Sequence, residues 1–335
     1  MTRAERLGSL AFLSLSALAA LAAGVMTLAV TFGGPKPIAA LESINSPFKG
    51  LDYRQMPAIS RFTARDGTAL AYRHYAATPA SATTNAAAPR RIVLVHGSSA
   101  SSRSLHPMAL ALVAGGFAVD VLDMRGHGDS GTRGHIAYIG QLEDDVADFM
   151  KTVPHAGPNT LLGFSSGAGF VLRFSASPQT ALFDRYVLLA PFLVEAPSNR
   201  PNSDIKSGGW ASVGLPRIIA LTVLNRFGIE RWNDLPVTQF ALTAEAAKFL
   251  TPSYSYALAT NFGTHLDYAG DIRRAPANLK LIAGVDDELM FPERYADVFK
   301  AAGKDQAVTL VPGANHIGLT LNAPALAAIV AACRD

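Results

Sequence analysis

The residue best suited to nucleophilic chemistry stands in the pentapeptide Gly163-Phe164-Ser165-Ser166-Gly167. The pentapeptide follows an apolar run at 160–162 and precedes a helical pattern at 168–174. A G-x-S-x-G sequence on a strand-to-helix turn strains the backbone and raises the serine hydroxyl above the end of the sheet. Glycines flank the serine because side chains would collide in so tight a turn. Ser165 is therefore the candidate nucleophile, and the alternative is a serine-rich turn without a function.

A serine nucleophile needs a general base, and histidine can accept a proton near neutral pH. In the chain order that accompanies this kind of serine turn, the acid and then the histidine follow the nucleophile. Two histidines, His265 and His316, follow Ser165. His316 comes just after the apolar run 308–311, so it is expected at the carboxyl edge of a parallel sheet, where ligand sites gather. His265 falls in a segment with helical character and is expected to be a surface or capping residue. The sequence therefore predicts His316 as the base.

The base needs a carboxylate that holds its tautomer and stabilises the imidazolium. The sequence Gly284-Val285-Asp286-Asp287-Glu288 directly follows the strand-like run 279–283. Three acids in a row are also typical of a solvated turn. From the residues alone, Asp286, Asp287 and Glu288 remain alternatives for the acid.

An oxyanion requires two backbone N–H donors aimed at the position where negative charge develops. The amide of Ser166, directly after the nucleophile, is the first candidate. The turn His96-Gly97-Ser98-Ser99 follows the apolar run 92–95, and it offers the amide of Ser98 as the second. His96 is expected to hydrogen-bond within its own turn.

These residues can meet only if the segments around them form one sheet. Short apolar runs typical of buried strands occur at 92–95, 117–122, 160–162, 186–190, 279–283 and 308–311. Asp66-Gly67, between two alternating runs, predicts a preceding hairpin. One helix face is indicated by Leu142, Val146, Phe149 and Met150. Strands that alternate with helices predict an α/β protein with a mostly parallel sheet and helices on both faces.

One interval, about 193–275, breaks this alternation. It contains no strand-like run, so we expect a helical insertion that forms a cap. The insertion follows a strand that ends at the same sheet edge as Ser165, and it should therefore lie over or beside the nucleophile. Its large apolar residues are Trp210, Leu215, Ile218, Ile219, Leu221, Leu224, Phe227 and Trp232.

The N-terminal segment has a different character from the rest of the chain. No charged residue occurs between residues 7 and 35, and a helix of about 20 apolar residues can cross a bilayer. The sequence therefore predicts a membrane anchor or signal segment at 1–40 and a folded domain at 41–335. Arg3 and Arg6 favour a cytoplasmic amino terminus and an exported domain, although Glu5 and Lys36 weaken the charge asymmetry. Small residues at 20–23 leave cleavage and secretion as the alternative.

Residues from about 62 to the C-terminus resemble the α/β-hydrolase superfamily. Within it, the chain is most similar to the group of monoacylglycerol lipases, lysophospholipases and the serine aminopeptidase S33 family. The resemblance rests on the turn at Ser165 and on the segments 96–99, 123–130, 189–191, 284–287 and 315–316. The resemblance implies a Gly-x-x-Asp spacing that selects Asp287 as the acid, and a structural role for His127. Two features depart from the family pattern: Ala168 stands before the second glycine, and the N-terminal segment is additional.

Together these features predict serine-dependent hydrolysis of a carboxylic ester through an acyl-enzyme on Ser165. The resemblance implies a small, lipid-like acyl ester as the substrate, and no metal or organic cofactor. Short-chain esterases, thioesterases and peptidases use the same machinery and are alternatives. A further alternative is an inactive, membrane-tethered binding protein, for which a member of the catalytic set should be missing.

The composition of the 335-residue chain excludes several other classes of protein. There are 29 Lys and Arg against 26 Asp and Glu, and a net charge of +3 supplies no basic surface for nucleic acid. Cys333 is the only cysteine, so the chain is not a disulfide scaffold, and no Cys/His cluster has zinc-site spacing. Hydrophobic residues make up 49% of the chain and charged residues 16%, unlike a disordered protein.

Overall fold

The computed structural model describes residues 3–41, 46–77, 88–201 and 209–334, with the backbone alone for 3–14. The strands in these residues are β1 (Ser60–Thr63), β2 (Ala69–Tyr75), β3 (Arg91–Val95), β4 (Ala118–Leu122), β5 (Asn159–Phe164), β6 (Arg185–Leu189), β7 (Ala211–Val213), β8 (Pro236–Phe240), β9 (Ser253–Ser255), β10 (Leu279–Gly284) and β11 (Val308–Val311). The α-helices are α1 (Arg3–Phe32), α2 (His106–Ala114), α3 (Gln141–Thr152), α4 (Ser166–Ser175), α5 (Leu215–Arg226), α6 (Tyr256–Asn261), α7 (Tyr268–Arg274), α8 (Tyr295–Ala301) and α9 (Ala323–Arg334).

Eight strands form one sheet in the order β1-β2-β4-β3-β5-β6-β10-β11. The first two form the predicted antiparallel hairpin, and β2 also pairs antiparallel with β4. All other neighbours in this sheet are parallel. The mostly parallel sheet predicted from the sequence is confirmed. The carboxyl ends of β3, β5, β10 and β11 therefore share one edge, where the candidate site residues follow them.

Helices cover both faces of the sheet because successive strand residues point to opposite sides. In β3, Val93 and Val95 belong to one hydrophobic core, whereas Ile92 and Leu94 belong to another. The first core is covered by α3, α4 and α8, and the second by α2 and α9. The predicted helix face of α3 lies in the first core, with three buried residues and one half-buried residue: Leu142, Val146, Phe149 and Met150.

The insertion after β6 contains strands, contrary to the prediction of a purely helical cap. Its described residues include α5, α6 and α7, together with a second, antiparallel sheet in the order β7-β8-β9. These strands are three to five residues long. They escaped prediction because the sequences Ala211-Ser212-Val213 and Ser253-Tyr254-Ser255 are too short to establish a period, and β8 begins with Pro236. Residues 202–208 of the insertion lie outside the described part of the chain.

Helix α1 contains an 18-residue window, Leu15–Phe32, that is long and apolar enough to cross a membrane, and only 6% of this window is buried. The C-terminal end of α1 nevertheless packs on the insertion. Arg217 of α5 donates hydrogen bonds to the carbonyl oxygens of Val30 at 2.7 Å and Thr31 at 2.8 Å. It donates a third to the carbonyl oxygen of Pro236 in β8, at 2.7 Å. One buried guanidinium therefore joins the end of α1 to two elements of the insertion.

The backbones of these two segments also meet directly. A Cβ atom added to Gly33 would lie 2.8 Å from the Arg217 nitrogen, and one added to Gly214 would lie 2.6 Å from the Gly33 carbonyl oxygen. Side chains at these glycines would force the segments apart. Val30 is buried in a small core with Ala220 and other residues of the insertion.

Candidate active site

Ser165 occupies the turn between β5 and α4 in a strained backbone conformation, with φ 56° and ψ −120°. A residue other than glycine held in such a region costs of order 1–3 kcal/mol, and such residues concentrate at functional sites. A Cβ atom on Gly163 would lie 2.3 Å from the Gly167 carbonyl oxygen, and one on Gly167 would lie 2.2 Å from the His96 carbonyl oxygen. Both glycines of the pentapeptide are therefore required, because a side chain at either position would clash with the backbone.

The structure brings Ser165, His316 and Asp287 into one chain of hydrogen bonds. His316 Nε2 lies 3.0 Å from Ser165 Oγ, and His316 Nδ1 lies 2.8 Å from Asp287 Oδ2. All three side chains are buried. Ser165 follows β5, the Asp287 turn follows β10, and the His316 loop follows β11. The residues thus meet because three parallel strands end at the same edge of the sheet.

The geometry distinguishes the three acids that the residues alone left open. Asp287 Oδ1 accepts the backbone N–H groups of Leu289 at 2.9 Å and Met290 at 2.8 Å, which leaves Oδ2 for the imidazole. Asp286 is exposed. Glu288 Oε2 accepts the backbone N–H of His316 at 2.9 Å. This second carboxylate contact to the histidine loop was not predicted, and the run of acids was its only signal in the sequence.

Two opposing effects set the pKa values of this buried pair. Burial lowers the pKa of His316, but the charge and hydrogen bond of Asp287, aided by Glu288, outweigh burial and raise it above its ordinary value. Burial raises the pKa of Asp287, but the charge and hydrogen bond of His316 and the two backbone N–H donors outweigh burial and lower it. The carboxylate therefore stays ionised, and the imidazole is a stronger base than an isolated histidine.

The candidate oxyanion residues lie side by side next to Ser165. The hydroxyl groups of Ser98 and Ser166 share a short hydrogen bond. Ser166 is the first residue of α4, so its amide has no partner within the helix. His96 Nε2 accepts the Met124 backbone N–H at 3.2 Å. Its other ring nitrogen therefore carries the proton and donates to the Gly97 carbonyl oxygen at 2.8 Å, so His96 supports its own turn as expected.

His265 lies apart from this arrangement. Its Nδ1 is 2.8 Å from Asp271 Oδ1, and its backbone N–H donates to the other oxygen of the same carboxylate. Because Asp271 also accepts a hydrogen bond from Arg274 at 2.8 Å, this cluster holds the start of α7 in place. The structure thus places His316 beside Ser165 and Asp287, and it places His265 away from them.

Comparison with known proteins identifies the family. The model of the family described as serine aminopeptidase, S33, matches residues 86–320. The matched span covers more than half of the chain and includes all five candidate residues: Ser98, Ser165, Ser166, Asp287 and His316. The chain belongs to this family. It is therefore an α/β hydrolase of the serine-hydrolase type.

Relatives of this S33-family chain have several activities. It is 24% identical to a non-heme haloperoxidase of Rhodococcus erythropolis over 272 residues, 78% of this chain and 94% of that protein. It is 35% identical to a monoacylglycerol lipase of Mycolicibacterium smegmatis over 91 residues, 25% of this chain and 32% of that protein. A soluble variant of the Saccharomyces cerevisiae monoglyceride lipase, solved with a substrate analog, matches with a TM-score of 0.61 at 15% identity, covering 85% of this chain and 96% of that chain. The predicted α/β-hydrolase fold is confirmed.

An apolar cavity opens at Ser165 and His316 in this family member. The insertion supplies part of its wall, and the apolar lining includes Phe48, Leu105, Phe164, Trp210, Leu242, Leu250, Leu289 and Ile317. A second cavity shares Ser98 and Trp210 with the first and is also lined by Ser166 and Tyr254. Within the described residues, no group of three or more His, Cys, Asp or Glu side chains is placed to hold a metal ion.

Proposed function

We propose that the protein is a carboxylic ester hydrolase that acts through an acyl-enzyme on Ser165. The hydrogen-bonded chain from Ser165 to His316 and Asp287 carries this proposal. His316 Nε2 takes the hydroxyl proton while the serine oxygen attacks the ester carbonyl carbon. Asp287 holds the proton on Nδ1, so that Nε2 is free to accept, and it stabilises the imidazolium that forms.

The amides of Ser98 and Ser166 are the proposed donors to the tetrahedral oxyanion. When the intermediate collapses, His316 returns its proton to the alkoxide leaving group and the acyl-enzyme forms. His316 then takes a proton from water, whose oxygen attacks the acyl carbonyl; the bond to Ser165 Oγ breaks, the acid leaves, and His316 returns the proton to the serine oxygen. No step requires a metal ion or an organic cofactor.

The proposed substrate is an ester with an apolar acyl chain, similar to a monoacylglycerol or a lysophospholipid. The apolar wall of the cavity at Ser165 supports this class, because each buried methylene group gains about 0.8 kcal/mol on leaving water. The similarity to a monoacylglycerol lipase and to a monoglyceride lipase supports the same substrate class. A short-chain esterase is the alternative that the substrate series below distinguishes.

We also propose that α1 anchors the protein in a membrane, with the catalytic domain exported. The Leu15–Phe32 window would span about 27 Å at the α-helical rise of 1.5 Å per residue, close to the thickness of the hydrocarbon core. The contacts of Arg217 with Val30 and Thr31 attach the end of this helix to the insertion. Full-length protein should stay in the membrane fraction after a carbonate wash, with its N-terminus intact by mass spectrometry. Recovery of a shortened, soluble chain would support secretion instead.

The decisive experiment is active-site labelling with a fluorophosphonate, which modifies an activated serine. Wild-type protein should be labelled and should hydrolyse p-nitrophenyl butyrate. Ser165→Ala should lose the label and nearly all turnover, by a factor of order 10⁴–10⁶. The matched control is Ser101→Ala, a buried serine outside the proposed machinery, which should keep both. Unlabelled wild-type protein without esterase activity would indicate a binding protein instead.

A further inference from the structure

The residue after the proposed oxyanion donor Ser98 has an unusual conformation. Ser99 lies in a turn closed by a hydrogen bond from the Ala100 N–H to the Gly97 carbonyl oxygen at 3.3 Å. Its φ is 64°, in the left-handed region that favours glycine and asparagine. A serine keeps such a conformation only where its surroundings hold it there.

The insertion supplies those surroundings. The Ser99 N–H donates to the Tyr254 hydroxyl oxygen at 2.5 Å, and the Ser99 hydroxyl donates to the Thr251 carbonyl oxygen at 2.7 Å. The Ser99 carbonyl oxygen accepts the Thr251 N–H at 2.8 Å. All three polar groups of Ser99 are thus bonded to the same short segment of the insertion, more than 150 residues away in the chain.

The Tyr254 hydroxyl group is itself held in one orientation. Its oxygen lies 2.6 Å from His127 Nε2, and His127 Nδ1 lies 3.3 Å from the Arg125 carbonyl oxygen. Burial lowers the pKa of His127 and raises the pKa of Tyr254, so the imidazole is neutral and the phenol keeps its proton. Nδ1 therefore donates to the carbonyl, and the phenol donates to Nε2. The phenol oxygen remains free to accept the Ser99 N–H.

We propose that Tyr254 and Thr251 are positioning residues that hold the oxyanion turn, and that the Ser98 amide is correctly aimed only while this segment of the insertion is docked. The inference rests on the proposed function. Its physical basis is that Ser99 directly follows the proposed donor, so Ser98 is held in place only as firmly as the three hydrogen bonds from the insertion hold Ser99. Tyr254 accepts the Ser99 N–H and so keeps the residue after the donor in its strained left-handed conformation. Contact between the insertion and the body thereby becomes a condition for stabilising the transition state.

The test compares Tyr254→Phe with Tyr256→Phe in the full-length enzyme. Tyr256 is also a buried tyrosine of the insertion, but its hydroxyl bonds Thr222 at 3.0 Å, away from the oxyanion turn. Phenylalanine at position 254 keeps the aromatic ring and removes only the hydroxyl group. Rates are measured with p-nitrophenyl butyrate and with its thiono analogue, in which sulfur replaces the carbonyl oxygen. Oxyanion donors placed for oxygen stabilise the larger sulfur poorly, so the ratio of the two kcat/KM values reports donor alignment.

Tyr254→Phe should lower kcat for the oxygen ester by about 10- to 100-fold, less than the 10²–10³ that loss of an oxyanion donor costs. KM should change by less than about twofold, because ground-state binding is unaffected. The oxygen-to-thiono ratio should fall toward one, and Tyr256→Phe should leave the rates and the ratio at wild-type values. Ser99→Gly keeps the left-handed turn and removes only the hydroxyl bond to Thr251. It should lower the ratio by a smaller factor, about threefold, for loss of one hydrogen bond.

An unchanged ratio in both Tyr254→Phe and Ser99→Gly would overturn the proposal. Equal losses in Tyr254→Phe and Tyr256→Phe would also overturn it, because they would indicate general loosening of the insertion. Failure of the proposed function itself would appear earlier, as wild-type protein that neither hydrolyses the ester nor labels at Ser165.

Discussion

Replacing Asp287 with asparagine should disable the base without disturbing the fold. Asp287 Oδ1 accepts two backbone N–H groups, so in Asp287→Asn the amide oxygen must take that position and the NH₂ group must face His316. The reverse orientation would leave two buried N–H donors unsatisfied, at about 1–3 kcal/mol each. The NH₂ group can only donate to Nδ1, which moves the ring proton to Nε2. A protonated Nε2 cannot accept a proton from Ser165.

The expected loss in kcat/KM is about 10⁴, or roughly 5.4 kcal/mol of transition-state stabilisation. Initial rates with p-nitrophenyl butyrate at pH 8 measure it, and thermal unfolding establishes that the variant is folded. The matched control is Asp286→Asn, an exposed neighbour that should stay within about twofold of wild type, as surface substitutions do. A loss below tenfold in Asp287→Asn, or equal losses in the two variants, would refute the tautomer argument.

His316 must be neutral to act, and its pKa is raised above the ordinary 6.5, so activity should fall as the pH drops through that raised pKa. Because Glu288 contributes to raising the pKa of His316, Glu288→Gln should move the fall in activity to lower pH. A profile of kcat/KM against pH checks both expectations. Across p-nitrophenyl esters from C2 to C8 below the micelle concentration, kcat/KM should rise by up to about fourfold per methylene group. Trp210→Ala should weaken that rise more than it changes acetyl ester turnover, whereas a decline beyond C4 would contradict an acyl-binding cavity. Arg217→Gln should lower the free energy of unfolding of the full-length protein by about 2–4 kcal/mol. In a protein lacking residues 1–33 the same substitution should cost less, because two of the carbonyl acceptors of Arg217 are gone. Denaturant titration measures both losses.

The sequence is most informative where chemistry requires a residue type at a strand end. The pentapeptide around Ser165 and the loop of His316 could both be placed because each follows a recognisable apolar run. The acid could not be chosen from the residues alone, since Asp286, Asp287 and Glu288 share one turn. Only the fold of that turn decides which carboxylate faces the imidazole and which accepts the backbone N–H of His316.

The contacts made by the insertion could not be predicted from the sequence. Tyr254 and Arg217 belong to segments with no distinctive local pattern, and packing brings them to Ser99 and Val30, which lie more than 150 residues away in the chain. The short strands β7 and β9 were also not predicted, because three residues do not establish a period. Distant, single hydrogen bonds leave no periodic signal.

The close contact between the end of α1 and the insertion has a consequence for movement of the whole protein. A flexible linker after a membrane helix would let the domain rotate freely. Here Gly33 instead contacts the backbone of α5, and Arg217 donates hydrogen bonds to carbonyl oxygens in the last turn of α1. With α1 in a bilayer, the catalytic domain would be carried at a fixed tilt, and the insertion would always be the part nearest the lipid. Such an enzyme would meet its substrate by lateral diffusion in two dimensions. The rigid contact at the end of α1 would then determine which substrate molecules the active site can reach.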